Sequence, residues 1–374
     1  MWYFRSPQII FGEDSLDFLE SLDMEKVVII TDKVLTKLGL PSLVKEHISD
    51  AIFHTIDEIP EEPSFSDIDS HSRLPESFNP DTIIAIGGGS VIDSAKILYF
   101  KIMRPDLDYY SLTPLEPLNI KGKMRFIAIP TTVGTGSECS WAAVVSDREH
   151  HRKLELASPE IIPDYSILDP RMVGDLPDRL LKSTVTDALT HAIEGATSSW
   201  RNPFSEALAM EAISLITHNV KLALTDRKNL EARSMLQISA SMGGLSFSNS
   251  QIGLAHALGH AFGSLFRKPH GFSVGLFLEP VIDFNSDSVA NIYEKLNLSF
   301  SGEFRKETLK ESIASLLKFL DAPAVISDFG ITREEFISRR EELIEKSLES
   351  TGIIGNPREV GRSDIEKIIE KIGR

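Results

Sequence analysis

Residues 82–97 read TIIAIGGGSVIDSAKI, and this stretch decides the fold of the first half of the chain. Its first part, Thr82–Ile86, is the short apolar run expected of a strand buried on both faces of a parallel sheet. A glycine turn follows, and a helical pattern begins directly after it. Backbone N–H groups of such a turn can approach a phosphate, and the helix dipole favours the negative charge. The turn is not a G-x-G-x-x-G fingerprint, and three glycines also form tight turns that bind nothing.

Similar apolar runs lie on both sides of this stretch. Val27–Thr31 and Phe126–Ile129 predict two more buried strands, and the segments between the runs are long enough to return as crossover helices. Ala142–Ser146 and Leu154–Ala157 flank a charged stretch and predict a hairpin. These patterns together predict an α/β domain.

The pattern changes after about residue 176. From Asp178 onward apolar residues recur at intervals of three and four, which is typical of amphipathic helices, and this continues to Ile372. Pro177 suits the first turn of a helix. We therefore predict two domains, an α/β domain over residues 1–176 and an all-helical domain over residues 177–374.

Composition limits the function classes. The 374 residues are 42 % hydrophobic, which allows a packed core, and 39 basic against 55 acidic residues give a net charge of −16. Such a surface repels phosphate backbones, so nucleic acid is not an expected partner. The single cysteine, Cys139, excludes an intramolecular disulfide and a Cys-rich metal site. We find no signal peptide and no run of 18 apolar residues, and we expect a soluble cytoplasmic protein.

Two further features at strand ends suit a nucleotide. Asp32 ends the first apolar run, where a carboxylate can accept hydrogen bonds from a ribose and repel a 2′-phosphate, favouring NAD over NADP. The same aspartate could instead be a helix N-cap. Pro130–Glu138 follows the third run and is rich in hydroxyls and glycine. Ligands bind outside the carboxyl ends of such strands, although these residues are also ordinary loop residues.

The helical half carries two pairs of polar side chains at helical spacing. Asp187 and His191 are four residues apart, and so are His256 and His260, which puts each pair on one helix face. His270 follows a proline. One aspartate and three histidines suit a divalent transition metal with a position left open for substrate, Fe²⁺ or Zn²⁺. One such pair alone would more often be a hydrogen-bonded core pair, but two pairs with His270 favour a metal.

These motifs together resemble the iron-containing (group III) alcohol dehydrogenases, relatives of glycerol dehydrogenase and dehydroquinate synthase. The stretches that carry the resemblance are spread in order over most of the chain: Gly87–Ser90 with Asp93, Pro130–Glu138, Asp187–Glu194, Gly253–His260, Pro269–Gly271 and Gly355–Arg358. The resemblance implies a dehydroquinate synthase-like fold, with a Rossmann-like N-terminal domain, a helical metal-binding domain and a dinucleotide in the cleft. Separately from the resemblance, we expect a homo-oligomer, specifically a dimer.

The resemblance also assigns site residues. Asp187, His191, His256 and His270 match the family's metal ligands, and His260 matches a histidine near the nicotinamide, which we take as the catalytic proton relay. The positions that match cofactor contacts, with Thr135 of the hydroxyl-rich loop added, are Asp32, Gly88, Gly89, Ser90, Asp93, Thr131, Thr132, Thr135 and Lys153.

Three positions depart from the family pattern. Val91 and Glu62 stand where many members have proline and asparagine, and the second change affects an adenosine-side contact. Ala142, beside Trp141, stands where some members carry a polar amide in the substrate pocket. This predicts a more apolar pocket than in diol-specific relatives.

The resulting hypothesis is a metal-dependent, NAD(P)-linked alcohol dehydrogenase or aldehyde reductase that uses NAD, with NADP as the alternative, and Fe²⁺, with Zn²⁺ as the alternative. Two other functions stay open. One is a lyase related to dehydroquinate synthase, which uses NAD transiently and needs basic residues that the metal segments lack. The other is a non-catalytic protein that binds a metal or a nucleotide.

Overall fold

The computed structural model describes residues 3–72, 74–75, 78–147 and 152–373. The chain divides into two compact units. The first, here called the α/β unit, holds Arg5–Thr132 and Gly136–Asp175. The second, the helical unit, holds the chain from Leu176 onward together with Val133–Thr135 and the N-terminal residues through Phe4.

The α/β unit contains a six-stranded sheet in which every pair of neighbouring strands is parallel. The strand order is β1-β8-β5-β4-β2-β3. A separate antiparallel hairpin, β6–β7, lies in the same unit. The strands are β1 Gln8–Phe11, β2 Lys26–Ile30, β3 Ile52–Ile56, β4 Thr82–Gly87, β5 Arg125–Pro130, β6 Ala142–Asp147, β7 Arg152–Ala157 and β8 Tyr165–Leu168.

The central strands are apolar throughout because both of their faces are buried. In β2, Val28 and Ile30 join a hydrophobic cluster on one side of the sheet, whereas Val27 and Ile29 join a cluster on the other. The same alternation runs through β4, where Ile83 and its neighbour face opposite clusters. Successive side chains of a strand point to opposite faces, so burial on both faces requires a continuous apolar run.

The other regular elements of the described residues are helices and short 3₁₀ turns, and loops connect them. In the described part of the helical unit, the chain forms helices and loops without a strand. The helices are α1 Lys33–Lys37, α2 Leu40–Glu46, α3 Phe65–Ser72, α4 Gly89–Met103, α5 Asp178–Thr197, α6 Pro203–Thr225, α7 Leu230–Ser248, α8 Leu254–Phe266, α9 His270–Ser299, α10 Leu309–Phe319, α11 Arg333–Leu348, α12 Gly352–Gly355 and α13 Arg362–Ile372.

The predicted fold class is confirmed, and the three buried strands and the hairpin lie where the apolar runs predicted them. The sequence analysis missed β1, β3 and β8. Both β1 and β3 are edge strands, and Phe11 and Ile52 on them are each more than half exposed. An edge strand is covered on fewer sides than a central one, so its sequence lacks the continuous apolar run that marks the centre of the sheet.

One helix of the described residues, α6, is long and apolar enough to cross a membrane by length and composition alone. The core helix of a soluble protein passes the same test. Within the helical unit, α6 packs against α5 and α7, and Ala209, Ile213 and Ile216 on it are fully buried. Packing of this kind is typical of a core helix.

Candidate metal centre

Asp187 and His191 lie one turn apart on α5, with both side chains almost completely buried. Their spacing of four residues puts them on one face of the helix, and His191 Nδ1 lies 3.8 Å from Asp187 Oδ1. The His191 ring stacks on Phe247, with ring centroids 4.4 Å apart. A carboxylate and an imidazole are thus held side by side inside the helical unit.

Two more histidines approach the same carboxylate oxygen from other helices. His256 lies in the first turn of α8 and His270 is the first residue of α9. The Nε2 atoms of these histidines lie 3.5 and 3.2 Å from Asp187 Oδ1, respectively. One donor atom each from Asp187, His256 and His270 falls within 4.8 Å of the others. The His191 ring stacks on that of His256 at 4.3 Å, which brings all four predicted ligands together.

Close helix packing makes this convergence possible. A Cβ atom on Gly271 would lie 1.9 Å from the backbone oxygen of Ser183, so only glycine lets the start of α9 come this near to α5. A Cβ atom on Gly259 would similarly lie 2.6 Å from the Cα atom of Val274, at the contact between α8 and α9. Each of these glycines is next to a histidine in sequence, and each brings the helix that carries a predicted ligand against its neighbour.

The distances between the donor atoms suit a shared divalent ion better than direct hydrogen bonds between the side chains. Asp187 Oδ1, His191 Nδ1 and His256 Nε2 are buried without a hydrogen-bond partner. Charge-assisted hydrogen bonds measure about 2.7–2.9 Å, and the separations here are longer. Donors placed about 2.0–2.2 Å from a shared ion would lie roughly 2.8–3.6 Å from one another. A site of one carboxylate and three imidazoles suits Fe²⁺ or Zn²⁺.

The electrostatics of the cluster keep Asp187 and His191 in the form that binds a metal, an ionised carboxylate and a neutral imidazole. Burial alone would raise the pKa of Asp187. The nearby His270 and His191 outweigh this effect, so the pKa lies well below its usual range. Burial lowers the pKa of His191 to about 3, which leaves the imidazole neutral, as a metal requires. Burial also acts to lower the pKa of His256, but Glu194 and Asp187 outweigh it and raise that pKa to about 9.

The α/β unit brings most of the predicted cofactor residues to one edge of its sheet. Gly87, the last residue of β4, is paired in register with Pro130, the last residue of β5, so the loops after both strands start side by side. A Cβ atom on Gly88 would lie 3.0 Å from the side chain of Thr132. Gly88 is the N-cap of α4, and Gly89 and Ser90 form its first turn. The N–H groups of that turn can receive a phosphate.

Asp32 follows β2, the strand next to β4 in the sheet. Its Oδ1 accepts hydrogen bonds from the backbone N–H groups of Val34 and Leu35, at 2.8 and 2.9 Å, and so caps α1. The N-cap role considered from sequence is therefore present. These bonds use one carboxylate oxygen, and the ribose contact stays a prediction.

Other predicted cofactor residues make contacts within the protein. Asp93 on α4 accepts hydrogen bonds from Ser137 Oγ and from the backbone N–H of Val144, and it thereby holds the loop after β5. Ser90 Oγ donates to the backbone oxygen of Glu61. The ammonium of Lys153 on β7 lies 3.4 Å from the Glu62 carboxylate. Thr131 is buried at the end of β5, and Thr135 lies in the segment grouped with the helical unit.

Sequence reasoning missed Lys96, a fully buried lysine one turn after Asp93. Its ammonium donates to the hydroxyls of Ser137 and Ser140, each at 2.9 Å, and to the backbone oxygen of Ala142 at 2.6 Å. Burial lowers the pKa of Lys96, although the nearby Asp93 carboxylate opposes the shift. The lysine ties α4 to the hydroxyl-rich loop. Its spacing of three residues from Asp93 was the available signal.

Sequence comparisons point to one family. A family model described as iron-containing alcohol dehydrogenase matches residues 6–170, and a model of the C-terminal part of the Fe-containing alcohol dehydrogenase family matches residues 182–373. An alcohol dehydrogenase of Thermococcus barophilus is 32 % identical, with 97 % of each chain aligned. The NADPH-dependent butanol dehydrogenase of Clostridium saccharobutylicum is 30 % identical over 99 % of this chain and 97 % of its own.

Solved structures give the same result. The iron-containing alcohol dehydrogenase of Thermococcus thioreducens is 30 % identical, covers 100 % of both chains and has a TM-score of 0.90. An alcohol dehydrogenase of Oenococcus oeni is 27 % identical, with the same coverage and TM-score.

Proposed function

This chain belongs to the iron-containing alcohol dehydrogenase family, and we propose that Asp187, His191, His256 and His270 hold its ferrous ion. The protein is a metal-dependent, NAD(P)-linked alcohol dehydrogenase or aldehyde reductase. The observation that carries the ligand set is the meeting of buried donor atoms without hydrogen-bond partners at Asp187 Oδ1. A divalent cation would satisfy these atoms.

When bound at these residues, a divalent ion would supply Lewis-acid chemistry at a substrate oxygen, and a nicotinamide would supply hydride chemistry. The residues of the chain supply the setting. Asp187 contributes the negative charge that offsets part of the charge of the ion, and the stacked rings of His191 and Phe247 keep that side of the centre apolar. His260, one turn after His256 on α8, is our candidate for moving the proton of the substrate hydroxyl.

For the dinucleotide we propose a site on the α/β unit. The turn after β4 and the first turn of α4 would receive the pyrophosphate through backbone N–H groups. Asp93 and Lys96 support this site by holding Ser137 of the loop after β5 through hydrogen bonds. The remaining contacts that we propose come from Asp32, Gly88, Gly89, Ser90, Thr131, Thr132, Thr135 and Lys153.

We propose that the preferred substrates are small apolar alcohols and aldehydes rather than diols. Ala142, at the start of β6, offers no side-chain hydrogen bond, and its backbone oxygen is already taken by Lys96. A site that lacks a polar group for a second hydroxyl gives no advantage to a diol. The similar protein from Clostridium saccharobutylicum is named for butanol.

A cytoplasmic homodimer is also part of the proposed function.

Turnover of matched substrates tests the function. Purified enzyme reconstituted with Fe²⁺ is assayed by nicotinamide absorbance with butanol, butanal, glycerol and 1,2-propanediol. We expect net turnover that is fastest with the apolar pair and is lost after treatment with a chelator. Binding of the dinucleotide without turnover of any alcohol or aldehyde would contradict the enzyme assignment, and faster turnover of glycerol would contradict only the substrate class.

Asp32 gives a prediction about cofactor choice. We expect the wild-type enzyme to favour NAD(H), because the carboxylate repels a 2′-phosphate, and Asp32→Gly to shift kcat/KM towards NADP(H) by about tenfold or more. The glycine variant also loses the side-chain cap of α1, at a cost of roughly a few tenths of a kcal/mol.

Asp32→Asn is the matched control, since it removes the charge and keeps an oxygen that can cap α1. If both variants gain activity with NADPH, the charge sets the preference. A wild-type enzyme that strongly prefers NADPH would refute the role given to Asp32.

A further inference from the structure

We propose that Glu194 is a positioning residue that fixes His256 as a metal ligand, an inference that rests on the proposed function. Glu194 lies on α5, seven residues after Asp187, and is buried. Residues seven apart lie two turns apart on the same helix face. Asp187, His191 and Glu194 therefore form one polar row on a helix that is otherwise packed in the core.

The Glu194 carboxylate determines which nitrogen of His256 carries the proton. Glu194 Oε2 lies 2.5 Å from His256 Nδ1. A carboxylate can only accept, so Nδ1 must donate, and in the neutral imidazole that a metal binds the lone pair is then on Nε2. That same Nε2 is buried without a hydrogen-bond partner, 3.5 Å from Asp187 Oδ1. A carboxylate on the far nitrogen of a ligating histidine both orients the ring and raises its basicity.

The other oxygen of Glu194 holds the backbone of the same ligand. Oε1 accepts hydrogen bonds from the N–H groups of Ala255, at 2.7 Å, and of His256, at 3.3 Å. The N-cap residue of α8 is Gly253, which has no side chain to cap the helix. A Cβ atom there would lie 2.9 Å from Glu194 Oε1, so the absence of a side chain at Gly253 leaves room for the carboxylate. One side chain on α5 thus fixes both the ring and the main chain of a ligand on α8.

Glutamine at this position cannot reproduce the arrangement, although it has nearly the same shape. If the amide oxygen accepts from the two backbone N–H groups, the amide NH₂ faces His256 Nδ1 and forces the proton onto Nε2. If the oxygen faces Nδ1 instead, the NH₂ meets two backbone donors. The first orientation removes the lone pair that would bind the metal, and the second leaves a donor opposite two backbone donors.

The test is metal affinity, measured without turnover. We expect Glu194→Gln to weaken Zn²⁺ and Co²⁺ binding about 10–100-fold in competition with a chelator, and to alter the visible spectrum of the Co²⁺-loaded protein. Glu160→Gln is the matched control, because Glu160 accepts hydrogen bonds from the backbone N–H groups of Leu118 and Ile120 and contacts no predicted ligand. Its metal affinity should equal that of the wild-type protein.

A double variant separates positioning from a general loss of stability. The His256→Ala background is expected to lose its ion on reconstitution with Fe²⁺, so its residual affinity is measured with excess Co²⁺. In that background Glu194→Gln should cause no further loss, since Glu194 would act through a histidine that is already absent. Glu194→Asp keeps the charge on a shorter side chain and should weaken binding less than glutamine does, by several-fold. If Glu194→Gln fails to fold, the aspartate variant decides the question, and unchanged affinity in it would overturn the inference.

Two failures are distinguishable. If the wild-type protein binds no divalent ion in a one-to-one ratio, the proposed ligand set is wrong and this inference with it. If the wild-type protein binds one ion and Glu194→Gln binds it equally well, the proposed function stands and only the role of Glu194 is refuted.

Discussion

Replacing His256 with alanine is expected to remove the bound metal and lower kcat/KM by at least about a thousandfold, because the metal supplies several kcal/mol of stabilisation to the transition state. The side chain provides one of the two histidine nitrogens that lie within 4.8 Å of each other and of an oxygen of Asp187. Its loss leaves two nitrogen ligands and also leaves the buried Glu194 carboxylate without its imidazole partner. Both effects act against a stable centre.

Metal content and turnover are measured on the same preparation after reconstitution with Fe²⁺. His218→Ala is the matched control, since His218 is an exposed histidine of the helical unit and donates or accepts only at Ser214, on its own helix. We expect this variant to hold one equivalent of metal and to turn over at the wild-type rate. Full metal content and normal turnover in His256→Ala would show that the ion is held elsewhere.

Helical spacing explains how the sequence analysis could pair Asp187 with His191, which the structure places side by side. A spacing of four residues fixes two side chains on one helix face whatever the rest of the chain does, so the Asp187–His191 pair could be predicted locally. His270 is different, because it reaches the site only through the close contact of α9 with α5 at Gly271. Its inclusion depended on its resemblance to the family's ligand positions, since helical spacing does not relate it to Asp187.

Glu194 escaped notice although the same helical rule could have found it. It is seven residues from Asp187 and stands in an apolar segment, where a buried carboxylate needs partners. What the sequence could not provide is the partner, since His256 lies 62 residues later. A polar residue on the buried face of a helix can therefore be predicted to contact a ligand on another helix, although its sequence does not say which one.

In the α/β unit, the roles of two residues could not be decided from the local sequence. Asp32 had two possible roles at the end of β2, and both draw on the same carboxylate, so no local pattern could choose between them. Lys96 was not foreseen because lysines are almost never fully buried. Its partners Ser137 and Ser140 come from a loop more than forty residues away, and only the tertiary structure brings them to the ammonium.

Replacing His260 with alanine is expected to leave the metal in place and to lower kcat about 10²–10⁴-fold, the range typical of a lost general acid or base. His260 shares a face of α8 with His256, and their ring centroids lie 5.6 Å apart. Its ring centroid is 5.1 Å from that of His270. We assign His260 to proton movement because it matches the family's histidine near the nicotinamide and lies one turn after the proposed ligand His256.

Metal analysis, kcat and chemical rescue together check this assignment. If His260 moves protons, imidazole added to the His260→Ala variant should enter the space left by the alanine and restore part of kcat without changing the metal content. In the His256→Ala variant, imidazole should not restore kcat while the metal is missing. A structural role for His260 would instead appear as a lower thermal midpoint with no rescue. Loss of the ion from His260→Ala, with the ion retained in His256→Ala, would reverse the roles of the two histidines, because the ligand would then be the residue one turn further along α8.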